Sequence, residues 1–457
     1  MSLIISVSGI RGTIGGVKGE NLSTEDIVKF SLAFGKLLLQ KNPKPTVVLG
    51  RDARISGEMV SKLVEASLQS LGVGIIDAGL STTPSIEMAV LHLKAAGGII
   101  LTASHNPREW NALKLLNHRG EFISAEEGLQ ILELSNLEGL VYADIDNLGQ
   151  KTSYNSSIED HIRAILAIPY LPIEKIQSKK YHIVADCINS TGSLALPRLF
   201  DSLGCTYELI NSNPDGNFRH NPEPLEGHLS ELMEATKNKA DLGIAVDPDV
   251  DRLALVDHEG QYFGEEYSLI CCADFMLDVK PGNTVSNLSS SRALADLTLQ
   301  KGGKHYSSAV GEVHVVNKMK EVNAVIGGEG NGGIILPDLH FGRDSLIGIA
   351  LVLANMATKN KTLSQLKSGY PLYYMHKDKI NIDPTLNFED LLKNLSAAYS
   401  DVQINLADGL KIDFKDSWLH LRKSNTEPII RIYSEAKSEQ EARILVEDIK
   451  IKIEQFN

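Results

Sequence analysis

The chain contains 457 residues, of which 43% are hydrophobic and 23% are charged, and its formal net charge is −13. This length exceeds what one hydrophobic core supports and predicts roughly three or four domains. The acidic balance, with no compensating basic tract, argues against nonspecific nucleic-acid binding, and no apolar run is long enough to span a membrane.

The first residues and the cysteines together predict a cytoplasmic protein. Residues 1–6 lack the basic start and long apolar stretch of a signal peptide. The cysteines show no metal-type spacing, and a bridge between the adjacent Cys271 and Cys272 would close a strained ring. We therefore expect reduced thiols that pack in the interior at Cys187, Cys205, Cys271 and Cys272.

Strand-like and helix-like patterns alternate along most of the chain, which predicts α/β domains with parallel sheets. The first clear helix follows Ser23, with Asp26 in its first turn. The last helix follows Ser438, which is predicted to form a capping box with Glu441. Apolar runs predict strands at residues 46–49, 95–101, 183–186, 240–246, 253–256, 284–286 and 324–326. Clusters of polar and turn-forming residues predict domain boundaries near residues 150, 258 and 370.

Two loops near the start of the chain carry arginines beside glycines. Arg11 lies in Ser8-Gly-Ile-Arg-Gly12, and a second pair of arginines lies in Gly50-Arg-Asp-Ala-Arg54 after a predicted strand. Isolated basic stretches are usually solvated surface. Together with the other polar loops of the chain, however, these arginines indicate a substrate that carries phosphate.

The segment Thr102-Ala-Ser-His-Asn-Pro107 follows an apolar run, so Ser104 is predicted at the carboxyl end of a strand. A serine in this position is often only a turn or cap residue. The pattern of an esterase nucleophile, G-x-S-x-G, is absent. His105 is adjacent in sequence and would point to the opposite side of an extended chain, so we expect it to hold the loop or bind phosphate. Lys114 is a candidate general acid or base whose pKa we expect nearby cations to lower.

Three carboxylates alternate in Asp247-Pro-Asp-Val-Asp-Arg252, between two apolar strands. Alternate residues of an extended loop point to the same side, so Asp247, Asp249 and Asp251 are predicted to converge. Two such charges about 4 Å apart repel by roughly 4 kcal/mol at an effective dielectric near 20. A bound Mg²⁺ would remove this repulsion. A solvated acidic turn is the simpler interpretation, but the tight apolar flanks argue against it. Arg252 is placed to orient the cluster or to bind phosphate.

Two further loops complete the predicted site. Residues 327–333 formally contain G-x-G-x-x-G, but the next residues predict a strand and not the helix that a dinucleotide site requires. We expect Glu329 and Asn331 of this loop to bind sugar hydroxyls, the alternative being a hairpin without a ligand. Near the other end of the chain, one segment is rich in donors for phosphate: Arg422, Ser424, Asn425, Thr426 and, beyond it, Arg431.

These loops, in this order, resemble the α-D-phosphohexomutase superfamily, which includes phosphoglucomutase, phosphomannomutase and phosphoglucosamine mutase. The serine and triple-aspartate motifs are highly specific, and residues 214–218 and 221–224 add further matches. Five positions depart from the usual pattern. In the terminal phosphate loop, Lys423 and Asn425 stand where the family more often has proline or serine and glycine. Pro248 stands in the metal loop where glycine is usual, and Asn331 and Gly333 replace the serine and histidine of Gly-Glu-x-Ser-Gly-His.

The resemblance implies three related mixed-sheet α/β domains and a smaller C-terminal α+β domain around a shared central cleft. On this basis we assign residues 1–150 as the phosphoserine domain, 151–257 as the metal-binding domain, 258–370 as the sugar-binding domain and 371–457 as the phosphate-binding domain. It also implies a phosphorylated Ser104, Mg²⁺ held by Ser104 and the three aspartates, and a hexose phosphate as the small-molecule substrate. Arg11 and His105 are expected to assist at the serine.

The expected reaction interconverts hexose 1-phosphate and hexose 6-phosphate through a sugar bisphosphate, which also serves as activator. Glucosamine phosphate is slightly favoured, because the sugar loop departs from the glucose and mannose form. Two alternatives stay open: a serine-based phosphatase that uses the same metal, and a non-catalytic sugar-phosphate sensor. We expect a monomer or a homodimer.

Overall fold

The computed structural model describes residues 3–6, 9–381, 387–399, 401–423 and 429–455. The chain forms two compact units. The first unit consists of Met1–Phe275 and Asn331–Ser368, and the second consists of Met276–Gly330 and Gly369–Asn457.

The first sheet belongs to the first unit and has seven strands: β1 (Ile4–Ser6), β2 (Gly9–Thr13), β3 (Thr46–Arg51), β4 (Gly74–Leu80), β5 (Gly97–Leu101), β6 (Trp110–Leu116) and β7 (Lys151–Ser153). Its helices are α1 (Thr24–Lys41), α2 (Gly57–Ser70), α3 (Thr83–Leu93) and α4 (Ala125–Leu134). The strand order is β1-β2-β6-β5-β3-β4-β7. The β5-β3-β4-β7 portion is parallel and the other pairings are antiparallel, so the sheet is mixed.

Helix α1 begins as its sequence predicts. The Ser23 side chain accepts a hydrogen bond from the Asp26 backbone N–H at 3.2 Å, and the Asp26 carboxylate accepts one from the Ser23 N–H at 3.1 Å. The buried rings of Phe30 and Phe34 then pack against the sheet core. The predicted first helix is confirmed.

The second sheet, also in the first unit, has four strands: β8 (His182–Asp186), β9 (Thr206–Ile210), β10 (Leu242–Val246) and β11 (Leu253–Asp257). Its helices are α5 (Ser157–Leu166), α6 (Ile173–Lys179), α7 (Gly192–Ser202) and α8 (Ser230–Thr236). In the order β11-β10-β8-β9, β10 pairs parallel with β8 and antiparallel with β11. The acidic loop is therefore the turn between the antiparallel strands β10 and β11.

The chain continues with α9 (Glu265–Val279), β12 (Asn283–Asn287), α10 (Ala293–Gln300), β13 (His305–Ser308), α11 (Glu312–Glu321), β14 (Ala324–Glu329), β15 (Gly333–Ile335), α12 (Ser345–Lys359) and α13 (Leu363–Lys367). Strand β12 pairs parallel with both β13 and β14 in the second unit. A strand, and not a helix, follows the glycine-rich loop, as predicted. Helix α12 lies in the first unit and is buried from Ser345 to Ala357, as expected of a helix that is apolar on nearly all faces.

The last sheet belongs to the second unit and consists of β16 (Tyr374–Asn381), β17 (Gln403–Asn405), β18 (Leu410–Asp413), β19 (Trp418–Lys423) and β20 (Ile429–Ala436), with helices α14 (Phe388–Ala398) and α15 (Glu439–Gln455). It is antiparallel throughout in the order β16-β20-β19-β18-β17. Ser438 accepts a hydrogen bond from the Glu441 N–H at 3.2 Å at the start of α15, as predicted. The fold class is confirmed: mixed-sheet α/β domains are followed by a C-terminal domain with an antiparallel sheet.

Two short 3₁₀ helices, Ile145–Asn147 and Glu226–His228, complete the described elements. Within the described ranges, no helix combines the length and the apolar character needed to cross a bilayer.

Candidate active site

Ser104 lies in a tight loop three residues after the end of β5. Its hydroxyl donates a hydrogen bond to the Asp247 carboxylate at 2.7 Å, and its backbone is left-handed, with φ of 49°. Such a conformation is unfavourable for a residue other than glycine and occurs preferentially at functional sites. Ser104 is nevertheless buried, with only 7% of the residue accessible. The burial results from its contact with the acidic loop.

Arg54 holds the serine loop in place. Its guanidinium donates hydrogen bonds to four backbone carbonyls, those of Ser104, Asn106, Pro107 and Trp110. It also pairs with the Asp52 carboxylate at 3.0 Å, and it is 1% exposed. The expectation that this arginine binds phosphate is wrong, since its donors are directed at the loop backbone.

A second chain of hydrogen bonds supports the same loop from beneath. Thr102 donates to Asp52 at 2.6 Å and accepts from the Ser104 N–H at 2.9 Å. Burial raises the pKa of Asp52, and the Arg54 charge opposes this shift. The conformation of Ser104 is thus determined by buried residues that the substrate need not contact.

The three aspartates converge, but the prediction of an extended loop is wrong, because they lie in a tight turn. Val250 has a left-handed backbone with φ of 62°, which is costly for a β-branched residue. One oxygen of Asp247 accepts hydrogen bonds from the N–H groups of Asp251 (3.0 Å) and Arg252 (3.1 Å). The turn therefore brings Asp247, Asp249 and Asp251 together, with one oxygen from each within 4.8 Å of the others.

The charges of the triad are only partly compensated by protein groups. Burial, reinforced by Asp251 and Asp249, raises the pKa of Asp247 well above its usual range. For Asp251, burial acts in the same direction, but the cations of Arg343 and Lys114 outweigh it and hold the pKa below its ordinary value. The Oδ1 atoms of Asp249 and Asp251 are buried and accept no hydrogen bond from the described residues. Two orphaned carboxylate oxygens beside a serine are a donor set that fits Mg²⁺.

Lys114 lies directly against the triad. Its Nζ atom is 2.7 Å from Asp249 and 3.4 Å from Asp251. The expectation that cations lower its pKa is wrong. Burial does favour the neutral amine, but the two carboxylates outweigh burial and raise the pKa above the usual value. The sequence around Lys114 does not indicate that these two aspartates are its charged partners.

Two groups that hold the triad were missed from the sequence. Arg343, in the residues before α12, donates a hydrogen bond to Asp251 at 2.6 Å. Thr83, at the start of α3, donates from its hydroxyl to Asp249 at 2.5 Å. Thr83 lies in an uncharged segment, which gave no indication of a role at the triad. Arg343 lies between Gly342 and Asp344, and this charged segment is the signal that could have indicated it.

Arg252 and His105 form the rim of the same site. Arg252 pairs with Glu223 at 3.0 Å and lies 3.4 Å from the His105 ring. Burial, followed by the Arg252 charge, lowers the pKa of His105 well below its usual value. His105 Nδ1 is also 3.4 Å from the Ser104 hydroxyl. The argument that adjacent side chains must point apart is wrong here, because the left-handed Ser104 bends the chain.

Arg11 is placed at this site by the sheet. It lies in β2 opposite Ala112 of β6, the strand that carries Lys114. Its charge contributes to the lowered pKa of His105. Ser8 of the same motif lies outside the described residues.

Glu329 and Asn331, the two residues predicted to bind the sugar, each accept hydrogen bonds from nearby residues. Glu329, at the end of β14 in the second unit, is buried and accepts hydrogen bonds from Asn287 (2.9 Å) and the Gly311 N–H (3.1 Å). Asn331, in the first unit, accepts from the Gly333 N–H at 3.2 Å and so stabilises the glycine-rich turn.

In the second unit, three cationic residues form a row across the last sheet. Arg431 of β20 is directly opposite Lys379 of β16 on one side and Arg422 of β19 on the other. Paired residues of antiparallel strands project to the same face, and like charges placed opposite each other are destabilising. Asp408 lies 3.5 Å from Arg422. The predicted ligands Ser424, Asn425 and Thr426 lie outside the described residues.

Comparison with known proteins matches nearly the whole chain in four segments. Residues 3–138, 159–260 and 264–373 match the α/β/α domains I, II and III of phosphoglucomutase/phosphomannomutase, and residues 379–452 match its C-terminal domain.

Two relatives with similar sequences are mutases. The chain is 37% identical to a phosphoglucomutase/phosphomannomutase of Thermococcus kodakarensis, over 95% of this chain and 96% of the relative. It is 34% identical to a phosphoglucosamine/phosphogalactosamine mutase of Sulfurisphaera tokodaii, over 99% and 100%. A crystal structure of a phosphoglucomutase/phosphomannomutase family protein from Burkholderia thailandensis covers 98% of this chain and 97% of its own, with a TM-score of 0.84 and 25% identity.

The fold, the matched segments and these relatives define an isomerase of the sugar-phosphate mutase class. The chain belongs to the phosphoglucomutase/phosphomannomutase family within the α-D-phosphohexomutase superfamily.

Proposed function

We propose that this phosphohexomutase moves a phosphoryl group between the 1- and 6-positions of a hexose phosphate, with Ser104 as the carrier. One observation carries the proposal: the Ser104 hydroxyl is 2.7 Å from Asp247, in the same buried site as Asp249 and Asp251. A reactive hydroxyl beside three carboxylates suits phosphoryl transfer, in which positioning and charge stabilisation supply most of the catalysis.

In the first step, the P–O bond to Ser104 breaks and the serine oxygen gains a proton, while a sugar hydroxyl forms the new P–O bond and gives up its proton. The product is a sugar bisphosphate, which then turns over in the site. In the second step, its other phosphate returns to Ser104, and the sugar oxygen that is released regains a proton. Because the phosphoserine is restored, a trace of sugar bisphosphate would activate an unphosphorylated protein.

We propose that Ser104, Asp247, Asp249 and Asp251 hold the Mg²⁺ on which this chemistry depends. Bound there, the ion would neutralise charge on the transferred phosphoryl group and on the carboxylates around Lys114. The two unpartnered aspartate oxygens support the assignment, because buried carboxylates without a partner are costly.

Lys114 is the proposed proton carrier, since its amine is buried at the triad and is one of few mobile proton sites there. Arg252 and Arg11 are proposed to neutralise the phosphate at the serine. His105 would act as a neutral hydrogen-bonding group, in keeping with its lowered pKa. Lys114, Arg252, Arg11 and His105 would therefore stabilise the charge of the phosphoryl group throughout turnover.

We propose that the cationic row of Lys379, Arg431 and Arg422 binds the phosphate that is not reacting. A dianion would relieve the repulsion between three cations on adjacent strands. Ser424, Asn425 and Thr426 would add hydroxyl and amide donors. This assignment makes residues 371–457 the phosphate-binding domain of the four-domain arrangement proposed above.

Replacing Arg431 with glutamine is expected to raise KM for the sugar phosphate by about 10- to 100-fold, with a smaller change in kcat. The reason is the loss of a charge-assisted hydrogen bond to a group that does not react, about 1.5–3 kcal/mol. Lys423→Gln is the matched control, because Lys423 pairs with Ile430, one position along from Arg422, and lies on the opposite face of the strand. Steady-state kinetics of both variants test this expectation. An equal rise of KM in the two variants would contradict the assignment of Arg431 to phosphate binding.

Glu329 and Asn331 are proposed to select the sugar, with glucosamine phosphate slightly favoured. Assays with glucose, mannose and glucosamine 1-phosphates, in Mg²⁺ with catalytic sugar bisphosphate, test the whole proposal. We expect conversion to the 6-phosphates without net release of phosphate. Net release of inorganic phosphate would indicate the phosphatase, and tight binding without either product would indicate the sensor.

A further inference from the structure

We propose a second divalent-cation site, built from His161, His340 and Asp344 and selective for Zn²⁺ or a similar ion over Mg²⁺. It is separate from the aspartate triad and uses none of the triad's ligands. One candidate donor atom from each of the three residues lies within 4.8 Å of the others, and all three residues are buried.

The spacing of the donors fits tetrahedral coordination. The Asp344 Oδ2 atom is 2.9 Å from His161 Nε2 and 3.3 Å from His340 Nε2. Ligands about 2.0–2.1 Å from a tetrahedral Zn²⁺ are themselves about 3.3 Å apart. The two distances to Asp344 are therefore close to tetrahedral spacing, and the two histidine nitrogens lie within 4.8 Å of each other.

Each histidine also has a polar neighbour on the side away from the proposed ion. His161 Nδ1 is 3.1 Å from the Ser85 hydroxyl, and His340 Nδ1 is 3.3 Å from the Glu87 carboxylate. A carboxylate or hydroxyl on the far nitrogen is the usual support for a metal-bound imidazole, because it fixes the tautomer and the ring orientation.

Glu87 is an independent indication that the cluster lacks a positive charge. It is fully buried, and neither of its oxygens accepts a hydrogen bond with acceptable geometry from the described residues. Its contact with His340 is close enough for an ion pair but poorly aligned. Two buried carboxylates, Glu87 and Asp344, thus share two imidazoles, and a dication coordinated by both rings would balance their charge.

The donor types select the ion. Mg²⁺ prefers oxygen ligands, whereas imidazole nitrogen suits Zn²⁺ and neighbouring transition metals. His161 also lines a cavity of about 270 Å³, together with His92, Tyr154 and Arg163. The cavity therefore lies next to the buried cluster, on the side of His161.

The ion would join two segments of the first unit, α5 through His161 and residues 340–344 through His340 and Asp344, and α3 would be linked only indirectly, through the contact of Glu87 with His340. His161 belongs to α5, Glu87 to α3, and Asp344 caps the start of α12 by accepting hydrogen bonds from the N–H groups of Leu346 and Ile347. We therefore assign the site a structural role, with no part in phosphoryl transfer.

The test is equilibrium dialysis of the chelator-treated full chain against Zn²⁺ in a large excess of Mg²⁺, with bound zinc measured by mass spectrometry. We expect about one zinc per chain. His161→Gln should weaken zinc binding by at least about 100-fold, and Glu87→Gln by about 10- to 100-fold. His92→Gln is the matched control, because His92 is exposed on the same cavity and outside the cluster.

Two further measurements guard against a variant that does not fold. Co²⁺ added to the wild-type protein in excess Mg²⁺ should give the visible absorption of a tetrahedral site, and Asp247→Asn should keep it. Failure of the wild type to retain zinc, or equal retention by His161→Gln, would overturn the proposal and leave a proton-bridged cluster. Zinc lost from Asp247→Asn but kept by His161→Gln would overturn it as well, by assigning the ion to the triad. Mutase activity in Mg²⁺ tests the proposed function independently.

Discussion

Replacing Ser104 with alanine is expected to lower mutase turnover by at least about 10⁴-fold, because no other hydroxyl contacts Asp247 in the described site. The second readout is covalent. After incubation with sugar bisphosphate, intact mass measurement should detect an added phosphoryl group on the wild-type chain and none on the variant. Residual turnover close to wild type would exclude Ser104 as the carrier.

The same substitution is expected to cost about 1–3 kcal/mol of stability, since it leaves the buried Asp247 without its hydroxyl donor. Ser193→Ala is the matched control. Ser193 is a half-buried serine of α7 whose hydroxyl donates to the Ser190 carbonyl, so its loss should leave turnover unchanged. A comparable loss of turnover in that control would show that the assay reports stability and not chemistry.

Replacing Arg54 with methionine is expected to destabilise the first unit by about 3–5 kcal/mol, which corresponds to a fall in Tm of roughly 6–20 °C. The change removes a buried cation, leaves Asp52 without its partner and frees four carbonyls of the serine loop. Turnover should fall as well, by about 100-fold or more, because a displacement of about 1 Å at the nucleophile is that costly.

Two measurements check this expectation. Thermal unfolding gives the loss of stability, and amide hydrogen exchange over residues 104–110 should show lost protection there first. Arg51→Met is the control, since Arg51 makes only a 3.4 Å contact with the Asp52 carbonyl. If Arg54→Met kept the loop protected and the Tm unchanged, the anchoring role of the guanidinium would be wrong.

The fold could be predicted well wherever local pattern and tertiary environment agree. The apolar runs on either side of the acidic loop became β10 and β11, and the capping residue Ser23 became the start of α1. Both follow from periodicity and capping chemistry, which involve residues close in the chain. The antiparallel pairing of β10 with β11 was not predicted, although the connection between them is too short for the crossover that a parallel pair requires.

Ser104 and the three aspartates could be named from the sequence as one candidate site, but the residues that hold them in place could not. The convergence of the three aspartates was expected for the wrong reason, since a left-handed Val250 produces it. Arg343 is 92 positions from Asp251, and Arg54 is 50 from Ser104, so no local pattern connects them. Nor does composition indicate which cations will face carboxylates, and for this reason the direction of the pKa shift of Lys114 was wrong.

The hydrogen bonds from Arg54 to the serine loop determine which residues of that loop can vary in sequence. It contacts carbonyl oxygens, which every residue possesses, so its hold on the serine loop does not depend on the side chains of the four residues that it contacts. Arg108 and Glu109, both exposed, could change freely while the reactive oxygen kept its place. Related proteins could in this way vary the surroundings of the serine while its hydroxyl kept its position.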